Sequence, residues 1–224
     1  PVQYNPTAGT LRIVTTIRVR VLFGVSASTT KALKANEYSP YFEPAMRQLI
    51  NYTPPTKSEL KADHTTYPVT YLVVASNQLD GNAKLDEFIA WKTIKGFNVV
   101  EHYVASTATT SAIDTWIESQ YNTLTPKPSF VLIVGDEGGT YKVATEVDPL
   151  LGDLGDVTRS DLLYGVIGAT GSGNRIPSMY VGRFSVRSTT DLAAQVDKTI
   201  YYERGQFEAA ASTTYMTKPM GVAG

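Results

Sequence analysis

A carboxylate at the end of an apolar stretch is the first candidate for chemistry in this chain. Residues 129–136 read Ser-Phe-Val-Leu-Ile-Val-Gly-Asp, and their five consecutive apolar residues predict a strand buried on both faces of a parallel sheet. In open α/β sheets, ligand-binding and catalytic groups gather beyond the carboxyl ends of such strands. Asp136 is therefore interpreted either as a cap for the turn that follows or as a metal ligand or active-site rim residue.

A second set of carboxylates lies in the glycine-bearing loop of residues 137–156, which is longer than most loops of α/β proteins. Calcium binds several flexible oxygen ligands, so this composition permits a calcium site. Because the spacing matches no calcium-loop motif, a solvated loop is the favoured interpretation. The carboxylates of the set are Glu146, Asp148, Asp153 and Asp156.

No catalytic nucleophile or catalytic imidazole is predicted within these residues. The chain contains no cysteine, which excludes a disulfide, a Cys-ligated zinc site and a thiol nucleophile here. Of its two histidines, His102 is interpreted as a hydrogen-bonded structural residue on a strand and His64 as an exposed linker residue. Gly-x-Ser-x-Gly is absent, and residues 171–174 lack the third glycine of a dinucleotide fingerprint.

Composition indicates a globular protein with a sizeable core. Apolar residues make up 42% and charged residues 18% of the 224 residues, and the net charge of −1 gives no basic field for nucleic acid. No apolar run reaches the length of a membrane span. Many Tyr, Thr and Ser residues suit an extracellular bacterial protein, and residues 220–224 resemble the start of a further strand, so a longer protein is expected.

Hydrophobic periodicity divides the chain into two predicted domains, residues 1–62 and 63–224. Residues 11–23 alternate between apolar and polar side chains, which predicts one long, half-buried antiparallel strand preceded by a short one. The proline-punctuated stretch of about 31–63 is predicted to be a linker. From Tyr67 a strand–helix rhythm predicts a doubly wound, mostly parallel α/β sheet with helices on both faces. Its strands are predicted at 69–76, 97–104, 130–134, 161–167 and 179–184, and its helices around 85–94, 113–121 and 188–200.

Six segments of the sequence occur in an order that is specific when the segments are taken together. They are Pro68–Ala75, Phe88–Phe97, Phe130–Asp136, Ser160–Tyr164, Met179–Ser185 and Gln195–Glu203. Together they resemble the first subdomain of the gingipain-type cysteine peptidases, and residues 1–6 with the long strand resemble the end of that family's prodomain. The resemblance covers nearly the whole chain.

The resemblance implies a caspase-like α/β fold of two subdomains, preceded by the end of an antiparallel β prodomain. The family's catalytic Cys and His belong to the second subdomain, which this chain lacks. It also implies a protein or peptide substrate, the missing second subdomain as a partner, and a secreted or cell-surface location. Asp136 and Asp161 are expected to frame the cleft, and the prodomain end is expected either to remain attached or to be cut within residues 51–63, after Lys57 or Lys61.

The resemblance further implies a structural calcium site. The family uses the aspartate of Val-Gly-Asp, here Asp136, with ligands just before the Tyr-x-Gly-Arg-Phe-Ser strand. Those positions correspond here to Asn174 and Ser178, with carbonyl oxygens from Ile176 and from Val166 or Ile167. Two carboxylates of the family pattern are missing, and because calcium affinity depends on ligand charge, the site is expected to be weak or lost.

Three functions stay open at this point. The first is a secreted cysteine endopeptidase of gingipain type. The second is a sortase-like member of the same family that processes secretion signals, and the third is a non-catalytic cell-surface module. A downstream His and Cys would separate the third from the other two, and substrate range would separate the first from the second.

Overall fold

The chain folds into two compact units, residues 1–32 and residues 33–224. The computed structural model describes residues 2–5, 7–13, 39–49, 52, 69–148, 158–168 and 176–205. In the first unit, strand β1 (Val2–Asn5) pairs antiparallel with β2 (Thr10–Ile13). This hairpin agrees with the predicted antiparallel start, while residues 14–23 of the predicted long strand lie outside the described residues.

The second unit is built on a four-stranded parallel sheet with the order β4-β3-β5-β8. Two helices connect its strands and a third follows the last strand, so the predicted doubly wound α/β architecture is confirmed. A short helix, α1 (Glu43–Met46), precedes the sheet, and a two-stranded ribbon of β6 (Val147–Asp148) and β7 (Thr158–Arg159) follows β5. The other elements are β3 (Thr70–Ser76), α2 (Ala83–Ile94), β4 (Asn98–Val104), α3 (Thr110–Thr123), β5 (Pro128–Val134), β8 (Tyr180–Phe184) and α4 (Thr189–Arg204).

The two faces of the sheet bury separate hydrophobic clusters, which explains the unbroken apolar runs of β3 and β5. Successive side chains of a strand point to opposite faces, so a strand covered on both faces needs apolar residues at every position. One face packs against α2 and α4, and its buried residues include Val73, Leu132, Val134, Leu85, Phe88, Leu192 and Val196. The other face packs against α3, and its buried residues include Leu72, Val74, Ile133, Ile113, Ile117, Tyr164 and Met179.

The predicted strand at 161–167 is wrong, because residues Asp161–Gly165 form a 3₁₀ helix. Ser160 starts the helix by accepting a hydrogen bond from the Leu162 amide at 3.2 Å. Tyr164 is fully buried, and its hydroxyl donates to the Ala144 carbonyl at 2.8 Å. The apolar residues of this segment are therefore explained by packing on the face of the sheet, since burial alone does not distinguish a strand from a short helix.

Ser188 and Asp191, whose spacing in the sequence matches the Ser-x-x-Asp capping pattern, cap the start of α4. Ser188 accepts a hydrogen bond from the Asp191 amide at 3.1 Å, and the Asp191 carboxylate accepts one from the Arg187 amide at 3.1 Å. These bonds satisfy amides that have no partner within the helix. The start of α4 is thus fixed just after the end of β8, where Ser185 leaves the sheet.

Aromatic rings collect at the amino edge of the sheet, where β3, β5 and β8 begin. The Lys92 ammonium lies beneath them, 5.3 Å from the Tyr71 ring centre and 5.2 Å from that of Phe88. Its side chain is only 8% exposed and is paired with Glu203 at 2.6 Å. The carboxylate of Glu203 also accepts hydrogen bonds from Lys95 and from the Trp91 indole, so this one carboxylate ties α4 to α2 and compensates the buried cation.

Residues 39–49, predicted to be part of the linker, belong to the second unit and contact the amino edge of its sheet. The boundary between residues 62 and 63 stays a prediction, because residues 53–68 lie outside the described part of the chain. Within that described part, no helix is long and apolar enough to cross a bilayer.

Candidate functional site

Asp136 lies directly beyond the carboxyl end of β5, as predicted. Its amide, its carbonyl and its carboxylate all make hydrogen bonds. Its amide donates to the Tyr141 carbonyl at 3.0 Å, and its own carbonyl accepts from the Val143 amide at 2.8 Å. One carboxylate oxygen, Oδ1, accepts from the Glu137 amide at 2.9 Å and from the Ser185 hydroxyl at 3.0 Å. These contacts give Asp136 the turn-capping role that was one of its two interpretations.

Gly135 permits this tight turn because no other residue would fit. Its φ is +153°, and a Cβ atom built on it would overlap the Tyr141 carbonyl oxygen and come within 2.6 Å of Val143 Cγ2. Residues 141–143 therefore fold back against the strand end. The Val-Gly-Asp sequence is explained by this close approach of two backbone segments.

Arg183 is the central positioning residue of the carboxyl edge, and sequence reasoning did not single it out. Its guanidinium makes five hydrogen bonds, one for each of its N–H groups. Nε and Nη2 donate to the two carboxylate oxygens of Asp161 at 2.6 and 2.7 Å. Nη1 donates to the carbonyls of Gly135 and Val143 at 3.0 and 3.1 Å, and Nη2 to the carbonyl of Ala144 at 3.2 Å.

The Arg183 contacts join three separate segments of the chain. They are the exit of β5, the returning loop at residues 143–144, and the 3₁₀ helix that begins at Asp161. The Arg183 side chain is 14% exposed and that of Asp161 19%, so the pair lies in a setting where charge-assisted bonds are strong. The signal that could have revealed Arg183 is a single charged residue in a strand whose other residues are uncharged.

A polar cavity of about 390 Å³ opens beside Asp136, between the end of β8 and the start of α4. Gln195 lines it and donates hydrogen bonds to the carbonyls of Ser185 at 2.8 Å and Asp191 at 3.2 Å. Carboxylates, a guanidinium and an amide can bind polar groups of a ligand, but none of them supplies a thiol or an imidazole. The lining residues are Asp136, Ser185, Arg187, Asp191, Ala194 and Gln195.

Three carboxylates, two of them on α3, form a second charged group. Burial, together with the charges of Glu118 and Glu146, raises the pKa of Asp114 to about 6. Glu118 accepts a hydrogen bond from the Gly168 amide at 2.7 Å. Of the predicted acidic loop, only Glu146 joins this group within the described residues, because Asp153, Asp156 and the Asp148 side chain lie outside them.

The predicted calcium ligands are only partly described. Ser178 donates its amide to the Gly165 carbonyl at 2.7 Å, whereas Asp136 bonds to Ser185. Ile176 is 77% exposed, and Asn174 lies outside the described residues. Among the residues that the structure describes, no group of three His, Cys, Asp or Glu side chains could hold a metal ion. The calcium site expected around Asp136 therefore stays a prediction.

His102, predicted to be a hydrogen-bonded structural residue, makes its structural contact by ring stacking. Its ring stacks on Trp116 of α3, with ring centres 4.4 Å apart and an angle of 8° between the planes. Burial lowers the pKa of His102, so the folded state favours the neutral ring. His64 lies outside the described residues.

Comparison with known proteins decides the family. The sequence model of peptidase family C25 matches residues 64–224. The chain belongs to peptidase family C25. Lys-gingipain of Porphyromonas gingivalis is 31% identical over 236 residues, an alignment that covers 100% of this chain and 12% of that protein. Gingipain R1 of the same organism is 28% identical over 207 residues, covering 91% of this chain and 19% of that protein.

Two solved structures share the fold of this C25 chain. The Arg-specific cysteine proteinase gingipain R superimposes with a TM-score of 0.50 at 25% identity, over 67% of this chain and 30% of that one. The complex of Porphyromonas gingivalis RgpB pro- and mature domains also gives a TM-score of 0.50 at 25% identity, over 60% of this chain and 29% of that one. The expected caspase-like α/β fold is thereby confirmed, and the chain spans only a small part of its relatives.

Replacement of Arg183 tests its role at the carboxyl edge of this C25 chain. Arg183→Met leaves the Asp161 carboxylate and three carbonyls without their donor, and we expect a loss of roughly 3–5 kcal/mol in the free energy of unfolding. Arg187→Met is the matched control, because Arg187 is exposed, and should change stability by less than about 0.5 kcal/mol. Urea unfolding of the two variants measures the difference, and equal stabilities would contradict the assignment.

The raised pKa of Asp114 predicts a pH-dependent stability. The folded state binds the Asp114 proton more tightly than the unfolded state does, so this stabilisation is present below pH 4 and is lost as the pH rises through about 6. Asp114→Asn should therefore stabilise the protein by about 1 kcal/mol at pH 8, after allowance for solvent screening, and by nothing below pH 4. Thermal unfolding across this range is the measurement. Asp197→Asn, at an exposed carboxylate paired with Lys84, should give no gain at pH 8.

Proposed function

We propose that this chain is the prodomain end and the non-nucleophile subdomain of a secreted cysteine endopeptidase of gingipain type. The match of family C25 over residues 64–224 is the observation that carries the proposal. Gingipain relatives that align with 91–100% of the chain support it. Because the chain contains no cysteine, the nucleophile and its histidine would come from the second subdomain.

In this proposal the chain contributes the frame of the cleft rather than the reacting groups. A thiolate of the second subdomain would attack the peptide carbonyl, a histidine would move the proton, and backbone amides would hold the oxyanion. Arg183 fixes the loop ends at Gly135 and Ala144, and Asp136 fixes the turn between them. A rigid carboxyl edge lets the two subdomains present one cleft without ordering loops on each turnover.

The partners and location follow from the same proposal. A protein or peptide is the substrate, and the second subdomain packs on this chain. The secreted or cell-surface location is that of an enzyme acting on extracellular protein. Its prodomain would be removed by cleavage after Lys57 or Lys61. The complex of RgpB pro- and mature domains is a precedent for association between such parts.

Thiol labelling of the full-length protein tests this function. A peptidyl probe that alkylates an active-site cysteine should label one cysteine beyond residue 224, and its replacement by alanine should abolish both labelling and peptide hydrolysis. Failure to label any cysteine would leave a non-catalytic module and overturn the proposal. Cleavage confined to a C-terminal secretion domain, with unrelated peptides untouched, would instead identify the sortase-like enzyme.

N-terminal sequencing of the processed protein tests the cleavage site in the same preparation. An N-terminus at residue 58 or 62 supports removal of the prodomain after Lys57 or Lys61. An N-terminus outside residues 51–63 contradicts it. The activity result and the cleavage result are independent, since an active enzyme could be processed elsewhere.

We further propose that calcium binding around Asp136 is weak or lost, because one carboxylate stands where the family pattern requires several. Thermal unfolding with millimolar calcium, compared with equal magnesium, should show no calcium-specific stabilisation. A calcium-specific rise in melting temperature that disappears in Asp136→Asn, but persists in Ser185→Ala, would overturn this expectation. The Ser185 variant is the control because it removes a hydrogen bond to Asp136 and keeps the charge.

A further inference from the structure

The amino edge of the sheet carries a row of aromatic rings that we call the aromatic ledge, made of Phe97, Phe130 and Tyr180. These residues stand just before β4, within the first half of β5 and at the start of β8. Phe97 and Phe130 meet edge to face with ring centres 5.8 Å apart, and Phe130 stacks on Tyr180 at 5.7 Å. Tyr180 is 41% exposed, so the ledge lies at the protein surface.

Two consecutive aromatic residues of the same chain sit on this ledge. Tyr41 stacks on Phe97 at 5.8 Å and meets Phe130 edge to face at 4.8 Å. Phe42 stacks on Tyr180 at 4.6 Å. The Tyr180 hydroxyl also donates a hydrogen bond to the Tyr41 carbonyl at 3.2 Å. Aromatic pairs in such geometries stabilise a contact beyond the area that they bury.

The segment that carries the pair is ordered by its own local bonds. The Phe42 amide donates to the Ser39 carbonyl at 3.1 Å, and the Met46 amide donates to the Phe42 carbonyl at 2.9 Å. Glu43 then accepts hydrogen bonds from the Arg47 guanidinium at 2.9 Å and from the Tyr52 hydroxyl at 2.5 Å. A segment that already has its bound shape loses less entropy on docking.

The ledge and the carboxyl edge stand at opposite ends of the strands. In strand β5 (Pro128–Val134), Phe130 of the ledge stands four residues before Val134, a separation of about 13 Å at 3.3 Å per residue. A segment docked on the ledge therefore leaves the carboxyl edge at Asp136 and Arg183 uncovered. Cleavage of the link at residues 53–68 would remove none of the contacts that Tyr41 and Phe42 make.

We propose that the aromatic ledge is a docking site for the Tyr41-Phe42 pair, which keeps residues 39–49 bound to the sheet after the chain is cut between residues 53 and 68. The proposal rests on the proposed function in one respect, namely that such a cut occurs in the maturing enzyme. The residues upstream of Ser39 remain covalently joined to the docked segment. Their release is then a second step, controlled at the amino edge and separate from the cut.

An engineered cut in the full-length protein tests the docking site. A recognition sequence for a site-specific protease is inserted after Pro55, the purified protein is cut, and size-exclusion chromatography is run at decreasing concentrations. We expect the two pieces to elute together at micromolar concentration. The double variant Y41S/F42S should weaken their association at least tenfold, because both stacking partners of the ledge are lost. Leu49→Ser is the matched control, since Leu49 is apolar and 59% exposed on the same segment, and should leave the association unchanged.

Variants on the ledge test the other side of the contact. Tyr180→Ala should weaken the association at least fivefold, because Phe42 loses its stacking partner and Tyr41 a hydrogen-bond donor. Tyr180→Phe keeps the stacked ring and should weaken it less than Tyr180→Ala. Ile94→Ser, at an apolar residue of α2 that is 78% exposed, is the control and should have no effect. Circular dichroism and melting of the cut proteins establish that each variant is folded.

The outcomes separate this proposal from the proposed function. Separation of the wild-type pieces at micromolar concentration, or association that is unchanged in Y41S/F42S, overturns the docking site and leaves the peptidase assignment intact. Because the cut is made by an added protease, absence of peptidase activity in the protein does not affect the result. Weakening by the Tyr41-Phe42 and Tyr180 variants alone, with both controls unchanged, supports the docking site.

Discussion

The carboxyl edge of this protein depends on the hydrogen bonds of one arginine. Arg183 lies in β8 and reaches backbone carbonyls at Gly135, Val143 and Ala144 as well as the carboxylate of Asp161. A loop that turns back on a buried strand leaves carbonyl groups that cannot all be paired within the sheet, and unpaired buried polar groups are costly. The five N–H groups of the Arg183 guanidinium pair with three of these carbonyls and with the Asp161 carboxylate, which also balances the positive charge.

The two ends of the sheet are stabilised by different physical interactions. The carboxyl end is polar, with directional hydrogen bonds that fix the backbone at Asp136. The amino end is aromatic, with stacked rings above the buried Lys92–Glu203 pair. Directional bonds define positions closely, which suits the frame of a cleft. Stacked and partly exposed rings bind without fixing every atom, which suits a surface on which a peptide segment docks.

The chain belongs to peptidase family C25, and all four strands of the sheet lie within the residues that the family model matches. The described residues form a buried core with helices on both faces of the sheet, and the chain contains no cysteine. In the proposed function, its polar edge is organised before a second subdomain supplies the reacting groups. Loops of this edge that are ordered when the chain folds need no further ordering during catalysis in the proposed enzyme.

The sequence by itself determined the elements whose signals are local. The apolar run before Gly135 predicted a buried parallel strand, the Ser188–Asp191 box predicted the start of α4, and Val-Gly-Asp predicted a turn at the sheet edge. The tertiary structure decided what depends on contacts between distant residues. Arg183 bonds to residues 22–48 positions away, and Tyr41 contacts Tyr180, 139 positions along the chain. Residues 161–165 form a 3₁₀ helix in which Tyr164 is buried and bonded to the Ala144 carbonyl. Periodicity reports which face of an element is buried, but not which distant segment covers it, and for that reason the partners of Arg183 and of Tyr41 became visible only in the folded chain.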